Sequence, residues 1–206
     1  MNSIKTIKII LGIFVFSLIA ISCSKEDDNA SQTPATIYPE ENFLGEFKTK
    51  AIFNLVNQAN TPSTFYYENG IVFKPTVKGK INAISLRLPT INTDGVRITI
   101  WNKQTQAIVA TASILVQSAN VEAKKTLSSS IVLEKDKEYV ISYYSKIFYN
   151  NIKNTNILYP ITCGNIVVSG HIYGGSEDAA AVAAFPNATL DKVFPDGISF
   201  DFQRTE

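Results

Sequence analysis

The stretch best suited to chemistry runs from Tyr143 to Tyr159 and reads YYSKIFYNNIKNTNILY. It places Tyr144, Phe148, Tyr149 and Tyr159 among Asn150, Asn151, Asn154 and Asn156. Sugar rings stack their apolar C–H faces on aromatic planes while amides hydrogen-bond the hydroxyls, so this mixture on a loop suits a glycan. The competing reading fills the core with Tyr143 and Phe148 and uses the asparagines to build turns. Trp101, the sole tryptophan, bears on the choice. It stands out of phase with Val96, Ile98 and Ile100, so it either faces outward or follows a bulge. An outward indole would extend a sugar-binding surface; an inward one would be core.

Other side chains offer less. His171, in SGHIYGG, is the only histidine, so a Ser–His–acid hydrolase would have to use it, and no nucleophile-elbow motif occurs. We expect a structural histidine and no enzyme; the remote exception is a hydrolase whose paired carboxylates assemble from distant positions. One histidine and two cysteines are too few for a transition-metal site of the usual kind. No cofactor is expected, with a structural Ca²⁺ left open. Asp94, Glu177, Asp178, Asp196 and Asp201 lie in or near turn sequences, Asp94 and Asp196 foremost, against the plain reading of ordinary turn acids. Cys163 reads as a small buried core residue.

Cys23 has a different use. Lys5 and Lys8 precede the apolar run Ile9–Ile21, which at about 1.5 Å per helical residue is too short to cross a ~30 Å hydrocarbon layer. The run ends in Ala20-Ile21-Ser22-Cys23, which resembles the lipobox of bacterial lipoproteins, with Ala20 where leucine is usual. The resemblance implies cleavage before Cys23 and anchoring in the lipid bilayer by acyl chains of the palmitate kind on that cysteine. Ser24-Lys25-Glu26-Asp27-Asp28 then resembles the Lys-then-acidic tag that sends lipoproteins through the outer membrane. Cell-surface exposure is therefore expected ahead of periplasmic exposure. Asn29–Asn42, rich in Ser, Thr, Pro, Asn and Glu, reads as a flexible tether. Without Lys5 and Lys8 the chain carries seventeen basic and eighteen acidic residues, a balance that argues against nucleic acid as a partner.

The rest of the 206 residues must position these groups. From Phe43 onward, β-branched and aromatic residues alternate with Gly, Pro, Asn and Asp at short intervals. Ile84–Leu88 and Val96–Ile100 alternate cleanly, and Ile198, Phe200 and Phe202 share a face. Further strands are expected over Gly70–Phe73, Ala107–Ile114, Ser129–Leu133, Glu138–Tyr144 and Asn165–Ile172. A short helix is expected only at Ser176–Ala184, where a serine cap and first-turn acids precede alanines. The sum is an all-β fold, an antiparallel β-sandwich of jelly-roll-like kind.

The order of motifs adds a resemblance. Tyr67–Pro75 (YENGIVFKP), Gly79–Leu86 (GKINAISL), Ile100-Trp101 with Thr105, Ala107–Thr111 and Leu133–Tyr144 (LEKDKEYVISYY) follow one another. Phe185-Pro186 and Asp196–Phe202 (DGISFDF) close the series. In this order they resemble the bacterial family called domain of unknown function 4082, over Phe43–Gln203; Gln106 stands where that family has glycine. The resemblance implies a β-rich domain of the kind found beside extracellular polysaccharide-related or adhesive modules, and it carries no settled activity. The expected organisation is a lipoprotein signal peptide over 1–22, lipidated Cys23 and tether over 23–42, and a β-sandwich over 43–206. The expected function is a non-catalytic binding module. Its favoured partner is a polysaccharide or other glycan, with Tyr144, Phe148, Tyr149, Asn150, Asn151, Tyr159 and Trp101 as the candidate contacts. The alternative is a structural or adhesive module that contacts other proteins.

Overall fold

A computed structural model describes residues 36–59 and 64–206, so the leader, Cys23 and most of the tether lie outside the described residues. The described chain forms the compact unit that runs to Glu206 from Thr36. In chain order the elements begin with β1 (Glu40–Asn42), α1 (Leu44–Ala51), β2 (Leu55–Ala59), β3 (Tyr66–Pro75) and β4 (Gly79–Arg87). Next come β5 (Asn92–Asn102), β6 (Ile108–Val116), β7 (Glu122–Leu133), β8 (Tyr139–Ser145) and β9 (Tyr149–Ile152). The series closes with β10 (Ile161–Cys163), β11 (Ile166–Ser176), β12 (Ala188–Thr189), β13 (Val193–Asp196) and β14 (Ile198–Arg204).

The expected antiparallel β-sandwich is what these strands build. One sheet runs β1-β14-β4-β7, and a larger one runs β10-β11-β3-β8-β5-β6 with β12 against β11. A third, small sheet is β13-β9-β2. Side chains that alternate toward the interior form the core: Ile84, Leu86, Phe200 and Phe202 from the smaller main sheet, and Ile71, Phe73, Ile98, Ile100 and Ile141 from the larger. The rings of Phe73 and Phe200 meet at 4.7 Å between centroids. Each such side chain contributes roughly 1.5–3 kcal/mol through burial, which is why the clean alternation of β4, β5 and β14 was decisive. Gly197, at φ 146°, makes the turn between β13 and β14, where a Cβ would stand 2.4 Å from the Arg87 carbonyl oxygen.

Two expectations need correction. The tether does not run free to Asn42, because Glu40–Asn42 pairs with Asp201–Gln203 as an edge strand. Glu41 is fixed from beyond that sheet, accepting hydrogen bonds from the Asn165 backbone N–H (3.0 Å) and side-chain Nδ2 (2.7 Å). The helix is not at Ser176–Ala184; that segment leaves β11 and crosses the sheet as turn and coil. Its small side chains are spent on packing instead, Ala183 and Phe185 lying against Val72, Trp101, Val140 and Ile172. The helix is α1, which buries Leu44, Phe47 and Ala51 at helical spacing. Asn42 Oδ1 accepts from the Leu44 N–H at its start, and Ile52 ends it with φ 53°.

Candidate functional site

Alternation on β3, β8 and β5 sends a second set of residues to the face of the large sheet that turns away from the core. Register places Glu68 opposite Tyr144 and Ser142 opposite both Gly70 and Thr99. On β5 the pairing shifts after Ile100, and Trp101 sits on this outer face opposite Val140. Both readings of Trp101 are thus met at once: it faces outward, next to a bulge. It is nonetheless only 2% exposed, because the segment 177–187 passes over it as a strap. Phe185 meets the indole edge-on at 5.7 Å.

Beneath the strap the polar groups are joined. Trp101 Nε1 donates to Ser142 Oγ (2.8 Å), and Ser142 Oγ donates to Glu68 Oε1 (2.6 Å). Arg97 Nη2 donates to Glu68 Oε2 at 2.8 Å. Burying a carboxylate costs several kcal/mol unless it is paired and hydrogen-bonded, and here both oxygens of Glu68 are engaged. The strap is tied to the same group, since Arg97 Nη1 donates to the Ala181 carbonyl (2.5 Å) and Tyr144 Oη to the Asp178 carbonyl. Arg97 also lies over the Tyr144 ring at 4.3 Å, and Tyr66 stacks against Tyr144 at 5.4 Å.

Between strap and sheet lies a cleft of about 310 Å³. Glu68, Arg97, Tyr144, Ser176 and Asn187 supply its polar groups, and Val182, Ala184 and Phe185 its apolar ones. Gly174 forms part of its wall; a Cβ there would touch Pro186 of the strap at 3.4 Å. Arg97 Nε and Thr99 Oγ1, on the same phase of β5, are buried without a hydrogen-bond partner. A wider hollow of about 490 Å³ at the β6–β7 turn is lined by Ser113–Leu115 and Val121–Lys125, among others, with no aromatic side chain to stack on.

Of the candidate contacts, the structure therefore brings Tyr144 and Trp101 to one face and takes the rest elsewhere. Phe148 packs edge-on to Tyr67 at 5.9 Å, and Tyr159 stacks on Phe47 at 6.3 Å. Burial raises the Tyr159 hydroxyl above its usual pKa, with Asp191 adding to the effect. Tyr149, Asn150 and Asn151 form β9 between β2 and β13. Tyr149 is buried, its hydroxyl bonded to Asn120 Oδ1 and its ring 4.5 Å beneath the Arg87 guanidinium. Asn151 is fully buried. For this group the core-and-turn reading holds only in part, since Tyr143 and Tyr149 are buried but Asn150 and Asn151 pair within β9 instead of building turns. The single aromatic rim imagined along Tyr144–Tyr159 is split by alternation, with Tyr143 pointing into the core and Tyr144 out of it.

The calcium candidates are also apart. Asp94 is exposed in β5. Asp196 is buried, with Lys48 at one carboxylate oxygen and Arg87 Nη2 2.8 Å from the other, so two cations already neutralise it. No three of His, Cys, Asp or Glu converge among the described residues. His171 is buried, and its Nδ1–H donates to the Val193 carbonyl at 2.8 Å. Desolvation pushes its pKa down to about 4, partly opposed by that bond. Cys163 is buried as expected, its thiol pushed up to about 11 chiefly by desolvation.

Glu68, Arg97, Ser142 and the strap escaped the reading of the sequence. A signal existed for two of them: Arg97 stands in the polar phase of Val96–Ile100, and Ser142 in that of Glu138–Tyr144. No local pattern links them to Glu68, which is 29 positions from Arg97.

Among proteins with curated descriptions none matches this chain. A family model described as a domain of unknown function, DUF4082, matches residues 54–193, which is well over half of the chain. The matched span takes in every strand from β2 to β12 and the whole outer-face cleft, strap included. The chain belongs to the DUF4082 family.

Proposed function

We propose that this protein is a membrane-anchored lipoprotein whose β-sandwich acts as a non-catalytic binding module, taking a glycan residue in the cleft between strap and sheet. The observation that carries the proposal is the lining of that cleft. Planar polar groups of Glu68, Arg97 and Asn187 stand beside the Tyr144 and Phe185 rings, the pairing of hydrogen-bonding and stacking groups that a sugar ring needs. Its volume lies at the lower end of small-ligand sites, which suits one or two sugar units of a chain that continues into solvent.

A binding role rather than a catalytic one is supported by the chemistry present. Glu68 is the sole carboxylate among the residues lining the cleft, and it is already ion-paired; glycoside hydrolysis calls for two. The one imidazole is committed to a backbone carbonyl. Anchoring rests on the lipobox resemblance at Cys23. With each buried methylene worth ~0.8 kcal/mol, two or three acyl chains hold such a protein permanently on its membrane. The acidic tag after Cys23 supports the outer-membrane surface as its location.

The test is a glycan array probed with the full chain in detergent, beside Tyr144→Ala, Asn187→Ala and Tyr149→Phe variants. Binding by the wild type, loss in the first two and retention in the third is the expected pattern. Equal binding by all four proteins, or none by any, would refute the cleft as a sugar site.

A further inference from the structure

An unpaired sheet edge presents a row of backbone donors and acceptors, and proteins blunt such edges with charge, proline or brevity. The main sheets of this fold have edges that differ in this respect. β1, β10 and β12 are three, three and two residues long. β7 carries Glu122, Lys124 and Lys125. β6 has none of these devices: its nine residues, IVATASILV, include no charge, proline or glycine. It pairs with β5 on one side alone among the described residues. Ile108, Val109 and Leu115 are exposed along it.

We infer that the β6 edge is a homotypic docking site, where two copies of this chain pair antiparallel along Ile108–Val116 about a two-fold axis at Ala112, joining their large sheets. The free backbone groups are in the right phase. Lys125 Nζ donates to the Ser113 carbonyl at 2.9 Å, so the groups of Ser113 point out of the edge. Those of Thr111 and Leu115 do the same by alternation, whereas Val109 is the extra residue of a bulge where the pairing with β5 shifts. An antiparallel partner centred on Ala112 sets Thr111 against Ser113 as hydrogen-bonded pairs on either side of the axis, and the regular ladder ends at the Val109 bulge. The incoming strand then takes the place of the lysine.

A second copy is the occupant because the strand complements itself. No like charges face each other across the axis, and the Thr111 and Ser113 hydroxyls meet. Ile114 of one copy falls opposite Ala110 of the other. Behind Ala110 and Ala112 the sandwich is open, a cavity of about 190 Å³ lined by Ile98, Ile100, Leu127 and Ile131 among others. A large side chain thus meets a small one in front of unfilled apolar space. A closed two-fold pairing of this kind ends at the dimer and consumes both exposed edges.

The experiment uses the full chain in membranes, with single cysteines introduced and mild oxidation followed by non-reducing electrophoresis. Directly opposed side chains have Cβ atoms about 4.5–5.5 Å apart, close enough for Ala112→Cys to form a disulfide across the axis with a small shift. Val109→Cys would lie roughly 20 Å from its own copy at about 3.4 Å per residue. The expected result is a reducible dimer with Ala112→Cys, wild-type background with Val109→Cys, and loss of the dimer when Thr111→Lys is added to Ala112→Cys. No dimer with Ala112→Cys, equal yield from both single variants, persistence with Thr111→Lys, or an adduct with a protein of different mass would overturn the proposal.

Discussion

The guanidinium of Arg97 reaches the carboxylate of Glu68 across an intervening strand, Nη2 to Oε2 at 2.8 Å, with Tyr144 of β8 between β5 and β3. The ion pair forms the floor of the cleft, and through Nη1 the same guanidinium holds the Ala181 carbonyl of the strap. One side chain thus fixes both walls.

Replacing Arg97 with Met should accordingly loosen the strap and strand Glu68. The partial exposure of Arg97 limits the stability loss to about 1–3 kcal/mol. Trp101 reports the event, since it is the sole tryptophan and lies under Phe185. Its emission should shift to the red and become more accessible to acrylamide in Arg97→Met and in Phe185→Ala. Unchanged emission in both variants would mean that the strap does not cover the indole as described.

Asp196 should be the costliest single acid to lose. Its carboxylate is buried between Lys48 of α1 and Arg87 of β4. Asp196→Asn leaves both cations without their counter-charge, at about 2–4 kcal/mol, or a fall in Tm on the order of 10 °C for a domain of this size. Because two cations already occupy the carboxylate, Ca²⁺ or EDTA should leave the wild-type Tm unchanged in the same thermal melts. A Tm raised by Ca²⁺ and lowered by EDTA would contradict this electrostatic account.

His171 predicts an acid-side weakness. Its folded pKa is lowered to about 4 by desolvation from a usual 6.5. Between these values the unfolded chain binds the extra proton, so stability is complete above pH 6.5 and is lost as pH falls toward 4. The loss is about 3 kcal/mol from this group. In urea titrations at a series of pH values, His171→Phe should show a shallower decline over that window, whatever its stability at neutral pH. Parallel declines would remove His171 from the explanation.

The fold was legible wherever burial on one face imposes alternation. β4, β5, β8 and β14 each fill the core with every second residue, and that period survives in the sequence. β1, β9, β10, β12 and β13 were not legible, being two to four residues long and specified by their neighbours rather than by their own pattern. The strap deceived for a related reason. SEDAAAVAA has helix chemistry, yet burying Trp101 under Ala183 and Phe185 outweighs a propensity worth tenths of a kcal/mol per residue.

The site was half legible. Tyr144 and Trp101 were marked by residue type and phase, and both reach the outer face. Their partners Glu68, Arg97 and Ser142 are polar residues on three different strands, joined only by sheet register. Register is a long-range property that no single stretch encodes. Tyr149 and Asn151 misled because an aromatic–amide stretch serves equally well to fill and close the small sheet.

The most direct measurement of glycan binding in the cleft is hydrogen–deuterium exchange of the full chain, with and without a polysaccharide that scores on the array. Slowed exchange confined to residues 174–187 and to β8 around Tyr144, absent in Tyr144→Ala, is the predicted result. Protection that falls instead on β9 and the Asn120 turn, or that survives the Tyr144 substitution, would contradict it.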